Sequence, residues 1–357
     1  MATPPRPGGA GLAMQQSFVV VRKSNPIQYP RSYWVDGQLW TVFSTLAQDS
    51  MEVHVARTDL HGRTVVREEL LTPPNHSTSA FASLAQSPER LAIAYDDEGY
   101  GGVMTRLVMF NRPASAALEQ PQLEAGMWAQ TSSASMAYSP TLREWATFSA
   151  SRDNVWSVRL RADGTLIDGS GLRLPGLDYE RRCGERFLWN GAAWVALVHD
   201  NDGRLAFVER DAQQHRVRRL GLRVAGSVTD AAFAFERGRY AIAWIDDEGA
   251  KVSIVHNEQQ FTPVQLLASA STNPGTPVVA FDRGRIVALW TQTGTLASLR
   301  RAVVSDVGAA SPSELVASDP SQHVWWPHIT QRDGDRPMVI TFQVGQTEAR
   351  VWSPAAP

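Results

Sequence analysis

The one cysteine of the chain, Cys183, follows Arg181 and Arg182. Neighbouring cations stabilise a thiolate, so this thiol is a candidate nucleophile. A nucleophile also needs a base, and His76 or His323 could supply one. Asp230 adds a carboxylate ahead of an alternating apolar run. Cys183, Asp230, His76 and His323 are therefore the candidate catalytic set of a single-pocket enzyme, a lyase, isomerase, cyclase or hydrolase. A half-buried structural role is the plainer reading of the cysteine. The histidines show no H-x-H or HExxH spacing, so no metal site is expected, and no cofactor motif is present. A second set suits binding rather than reaction: Tyr29, Arg31, Trp128, Tyr179, Arg182, Asn273, Trp325 and Trp326. Exposed indole faces stack on sugars and flat ligands, and arginine and tyrosine anchor protein partners.

Both sets fall at one recurring place in a repeat. A small turn and then an alternating apolar strand recur along the chain, as QLWTVF (38–43), RLAIAY (90–95), REWATF (143–148), AAWVALV (192–198), RYAIAW (239–244), RIVALW (285–290) and PMVITF (337–342). The period is the roughly 40–50 residues of a four-stranded propeller blade. Another strand precedes each copy, joined through turns such as Asp36-Gly37, Asn190-Gly191, Arg237-Gly238, Arg283-Gly284 and Asp333-Gly334. Glycine there supplies the positive φ of a tight hairpin. The residues entering the first strands are Tyr29, Thr78 or Ser79, Ser133, Cys183, Asp230, Thr276 and Trp326. In a propeller these positions ring the channel mouth, where ligands commonly sit.

The last blade has only three strands of its own, and SFVVVRK (17–23) is available to complete it. That pairing closes the ring and removes two exposed sheet edges. The expectation is an all-β, seven-bladed propeller over residues 16–353, with a flexible tail at 1–15 and a short one at 354–357. The stretch NVWSVRLRADGTLIDGSGLRL (154–174) resembles a repeat of large exported proteins of myxobacteria and related bacteria. Asp163-Gly164-Thr165 and Leu166-Ile167-Asp168 carry the likeness. The resemblance implies a bacterial propeller and carries no shared catalytic residues. No Ser-x-Asp-x-Gly-x-Thr-Trp box supports a sialidase, and no Gly-His…Trp-Asp pair recurs.

A net charge of -2 gives no reason to expect nucleic acid. No apolar run long enough to span a bilayer is present, so no membrane contact is expected. A lone cysteine and the lack of a secretory leader read as cytoplasmic. Three acidic segments, Asp96–Gly99, Asp200–Gly203 and Asp246–Gly249, read as hairpin turns. The basic run His215, Arg216, Arg218, Arg219 and Arg223 reads as a protected outer edge. Trp34, Trp40, Trp145, Trp194, Trp244, Trp290 and Trp352 fall on strand positions and are expected in the core. The leading functional expectation is a non-catalytic scaffold presenting its loops to a protein or peptide partner. The alternatives are an enzyme acting on a small molecule at the mouth, and a sugar-binding propeller.

Overall fold

Alternating apolar residues between tight turns bury one side chain in two on each sheet face, and a twisted sheet needs neighbours on both faces. The chain meets that need with seven antiparallel sheets of four or five strands, six from consecutive segments and one that joins the N-terminal strand to the last three. The computed structural model describes residues 17–47, 50–59, 61–71, 79–99, 102–112, 123–127, 132–151, 154–168, 172–178, 187–200, 202–222, 224–256, 260–294, 296–319, 324–331 and 336–353. It is a seven-bladed β-propeller. Among the described residues one short 3-10 turn, Ala270–Thr272, interrupts the β structure. No helix among the described residues is long and apolar enough to cross a membrane.

The core is divided among the seams between blades. Trp40, Val42 and Val55 of the first blade pack on Leu84, Leu91 and Ile93 of the second. Phe207 and Leu197 meet Phe233 and Trp244 between the fourth and fifth. Val278 and Leu289 meet Ile329 and Phe342 between the sixth and seventh. Trp34, Trp40, Trp145, Trp194, Trp244, Trp290 and Trp352 are all buried. Truncating such a ring typically costs about 3–5 kcal/mol.

The ring is closed by the N-terminal strand. Phe18–Arg22 pairs antiparallel with Glu348–Trp352 as the outer strand of the seventh blade. Beyond that strand, Lys23 reaches the first blade and forms an ion pair with Glu68. Gly62, in the turn after Ser50–Thr58, has a φ of +77, and a Cβ there would sit 2.5 Å from the Phe18 ring. Only glycine lets the closing strand lie this close. Nearer the axis, Ser32 Oγ lies 2.7 Å from Thr41 Oγ1 and accepts from Thr341 Oγ1 at 2.6 Å. Trp34 Nε1 donates to the Pro337 carbonyl at 3.0 Å. These bonds satisfy polar groups that burial at the seam would otherwise leave costly.

Three local readings change. Asp96–Gly99 is not a turn: the strand Arg90–Gly99 runs through it, with Gly99 opposite Gly102. Arg31, named in the binding set, lies buried within Ile27–Val35, opposite Val42. The fourth blade's inner strand is split, because Leu177–Asp178 and Phe187–Trp189 both pair with Trp194–Asp200.

Candidate ligand-binding cleft

The innermost strands share a device that sets the site. The pairing of Ile27–Val35 slips between Gln28 and Arg31, that of Ser79–Gln86 between Ala80 and Ser83, that of Pro274–Asp282 between Gly275 and Val278, and that of Val324–Thr330 between Trp325 and His328. Each slip is a β-bulge, and its first extra residue is left-handed: Tyr29 (φ 53), Phe81 (φ 55), Thr276 (φ 44) and Trp326 (φ 53). Glycine is the cheap residue at such a place, and a non-glycine there costs of order 1–3 kcal/mol. The repeated geometry belongs to the scaffold. The choice of large aromatics in three neighbouring blades does not follow from it.

Those aromatics meet. Tyr29 lies 4.0 Å from Phe81 and 4.3 Å from Trp326, ring centre to ring centre, and Trp325 adds a fourth ring 6.1 Å from Trp326. The arc crosses the second, first and seventh blades. Beside it a cleft of about 610 Å³ opens between blades seven and one, lined by Pro26, Ile27, Gln28, Tyr29, Leu46, Trp325, Trp326, Gln343 and the turn Gly345, Gln346, Thr347. The cleft is a product of closure: its floor follows the closing strand, and Lys23 and Ile27 donate their N–H groups to the carbonyls of Thr347 and Gln346. Trp325 is 39% exposed. Gln343 is 5% exposed, and its Nε2 donates to the Gly345 carbonyl at 2.8 Å, which fixes the orientation of the amide. Its Oε1 is buried without a hydrogen-bond partner among the described residues.

The structure thus brings together Tyr29, Trp325 and Trp326 from the expected binding set. The sequence pattern sets the second blade's entry at Thr78 or Ser79 and passes over Phe81, because the extra residue of a bulge leaves no mark in an alternating pattern. Asn273 caps the 3-10 turn ahead of the sixth blade with a φ of 48 and accepts from the Thr293 N–H at 3.1 Å. Asp230 opens the inner strand of the fifth blade, opposite Ile245, and is buried. Neither lines the cleft. Cys183, His76, His323, Trp128, Tyr179 and Arg182 lie outside the described residues.

Acidic and basic segments are paired with each other. Asp246 Oδ2 accepts from Lys251 Nζ at 2.9 Å, Trp244 Nε1 at 3.0 Å and the Ala225 N–H at 3.0 Å. Burial alone would raise the Asp246 carboxyl, but these donors outweigh it and hold it below the usual carboxylate value. Asp200 behaves alike: burial raises it, and the Arg204 N–H, Arg219 and the Asp202 N–H lower it further than that. Arg106 Nε bonds Asp97 at 2.7 Å, and Arg218 bonds Glu209 at 2.7 Å. Burial, then the charge of Arg210, lowers His215 to about 4. No group of three or more His, Cys, Asp or Glu suited to a metal occurs among the described residues. The DGT…LID stretch is also structural. Asp163 caps its own turn through the Thr165 N–H at 2.8 Å, and Asp168 holds the buried Arg210 of the next blade, which also donates to Ser157 Oγ at 2.6 Å.

No protein-family model and no curated protein matches the chain. Solved structures share its fold. A Trypanosoma rangeli sialidase in complex with 2,3-difluorosialic acid is 11% identical, with a TM-score of 0.54 over 96% of this chain and 59% of that one. Pyrococcus horikoshii acylaminoacyl peptidase is 10% identical, with a TM-score of 0.53 over 96% of this chain and 52% of that one. A prolyl endopeptidase gives 10% and 0.52, over 95% and 51%. The chain therefore spans between half and three-fifths of the length of each. At these identities the likeness describes the propeller alone.

Proposed function

We propose that this protein is a non-catalytic binding module whose mouth cleft receives an uncharged group presented by a partner, a protein or peptide in the first instance. One observation carries the reading. Among the described residues, the cleft wall is aromatic, aliphatic, amide and hydroxyl, and holds no carboxylate, imidazole, thiol, ammonium or guanidinium. Its acid–base or nucleophilic groups are the Tyr29 phenol and the Thr347 hydroxyl, and no stronger base lines the described wall to activate either. Recognition needs apolar rings and a few placed polar atoms, which is what the wall supplies. The lone cysteine, and hence the lack of an intramolecular disulfide, supports a reducing compartment such as the cytoplasm. The competing reading, an enzyme at the mouth, rests on the buried carboxyl of Asp230.

Affinity capture from the native host's lysate separates them. The binding reading expects a stoichiometric partner held by the wild-type protein and by Asp230→Asn, and lost with Trp325→Ala. A partner indifferent to Trp325→Ala, or a small molecule from that lysate consumed by the wild type and spared by Asp230→Asn, would overturn it.

A further inference from the structure

The cleft's chemistry specifies its ligand more narrowly. Resting on the binding reading above, we propose that it takes a neutral saccharide, either free or carried as a glycan on a partner protein. Four observations converge. The exposed Trp325 beside Trp326 offers an apolar plate of the kind that covers the C–H face of a sugar ring. Gln343 Oε1 is a buried acceptor with no donor among the described residues, and leaving one so costs free energy that a ligand hydroxyl would recover. The remaining polar wall, Gln28, Gln346 and Thr347, is again amide and hydroxyl, matched to a ligand dense in hydroxyls. No ionic side chain lines the described wall, so a carboxylate, phosphate or amine would lose its hydration without a counter-charge.

A peptide strand fits these facts less well. Strand addition needs free main-chain groups. The carbonyls of Gln346 and Thr347 are taken by the Ile27 and Lys23 N–H groups, and that of Gly345 by Gln343. The cleft is also of small-ligand size, within the roughly 300–1,000 Å³ typical of such sites, rather than an extended groove.

The test titrates the intact protein with glucose, galactose, mannose, N-acetylglucosamine and their common disaccharides, with glucuronic acid and N-acetylneuraminic acid as charged controls. Binding is read by tryptophan fluorescence and calorimetry. The proposal expects saturable binding of at least one neutral probe and none of its charged counterpart. Trp325→Ala, at an exposed site that leaves the fold intact by circular dichroism, should weaken binding about tenfold or more, since a tenfold change corresponds to about 1.4 kcal/mol. Gln343→Leu should weaken it roughly two- to tenfold. If a partner is captured, removing its glycans should release it when the saccharide is protein-borne; a free saccharide as ligand leaves capture unchanged and competes for it. No saturable neutral probe, a preference for the acids, or affinity unmoved by Trp325→Ala would overturn the saccharide assignment. If capture of a deglycosylated partner still depends on Trp325 while no sugar binds, the saccharide assignment fails and the binding reading stands. If neither depends on Trp325, both fail.

Discussion

The mouth wall of blades seven, one and two and the acidic hairpins of blades four and five use their side chains in opposite ways. In sequence the hairpins gather carboxylates at Asp200–Gly203 and Asp246–Gly249 and read as turns. In the structure those carboxylates serve their own turns: Asp200 caps the N–H groups of Asp202 and Arg204, and Asp246 is buried against Lys251 and Trp244. The aromatic residues of the wall, read in sequence as binding candidates at the strand entries, stay partly open, on strained backbone, beside an acceptor with no donor among the described residues. A charged residue signals function only where its charge is not already answered by the fold.

The widest separation of the two regions should come from the closing strand. Deleting residues 1–23 removes a paired strand, the Lys23–Glu68 link and the Lys23 N–H bond that holds the Thr347 carbonyl beside the cleft, so it should give the largest fall in Tm together with weakened cleft binding. Deleting residues 1–12 should leave the melting curve where it was. Equal curves for the two truncations would break the closure argument.

Asp246→Ala comes next. It leaves the buried Lys251 ammonium with Glu248 alone and strands three further donors, Trp244 Nε1 and the N–H groups of Ala225 and Glu248, so urea unfolding should show a loss of about 3 kcal/mol, with cleft affinity unchanged for the fraction that folds. Trp325→Ala should do the reverse, shifting stability by less than about 0.5 kcal/mol while removing binding. A shared phenotype would erase the distinction between the regions.

Acid should act on His215 first and on the paired carboxylates at lower pH. Asp246 and Asp200 are held below the ordinary value of 3.8 in the folded state. Their stabilisation is therefore complete above that value and is lost as pH falls through the lowered folded value. His215 is lowered from 6.5 to about 4, so the unfolded chain binds its proton first and stability declines as pH drops from 6.5 towards 4. His215→Gln should flatten the upper part of that decline, and Asp246→Asn the lower part, both followed by denaturant midpoints across a pH series.

The smallest effect belongs to the sixth blade. Thr276 holds a φ of 44 with a β-branched side chain and no aromatic neighbour in the arc. Thr276→Gly should stabilise by up to about 1 kcal/mol, whereas Tyr29→Gly at the same register should destabilise, because the ring contacts there are worth more than the strain released.

Much of this architecture was legible in the chain. Strand alternation, Asp-Gly and Arg-Gly turns and a spare strand at the N-terminus led to seven blades and to the partner of Phe18–Arg22. Trp40, Trp244 and Trp290 could be placed in the core because strand period and burial coincide at them. The arc was only half legible. Tyr29 and Trp326 were marked by their place at strand entries, but Phe81 was hidden inside an apolar run by the bulge. Gln343 carried no signal at all, since its importance lies in an oxygen that is buried with no donor among the described residues. The acidic hairpins misled by one strand: Asp96 and Asp97 lie within a ladder, because the hairpin closes further on.

Hydrogen exchange of the intact ring, alone and saturated with its captured partner or saccharide, tests the central claim most directly. The account predicts new protection concentrated in residues 26–29, 324–327 and 343–347, with the hairpins at 200–204 and 246–249 unchanged. Protection confined to those hairpins, or to the basic outer strand His215–Arg219, would contradict it.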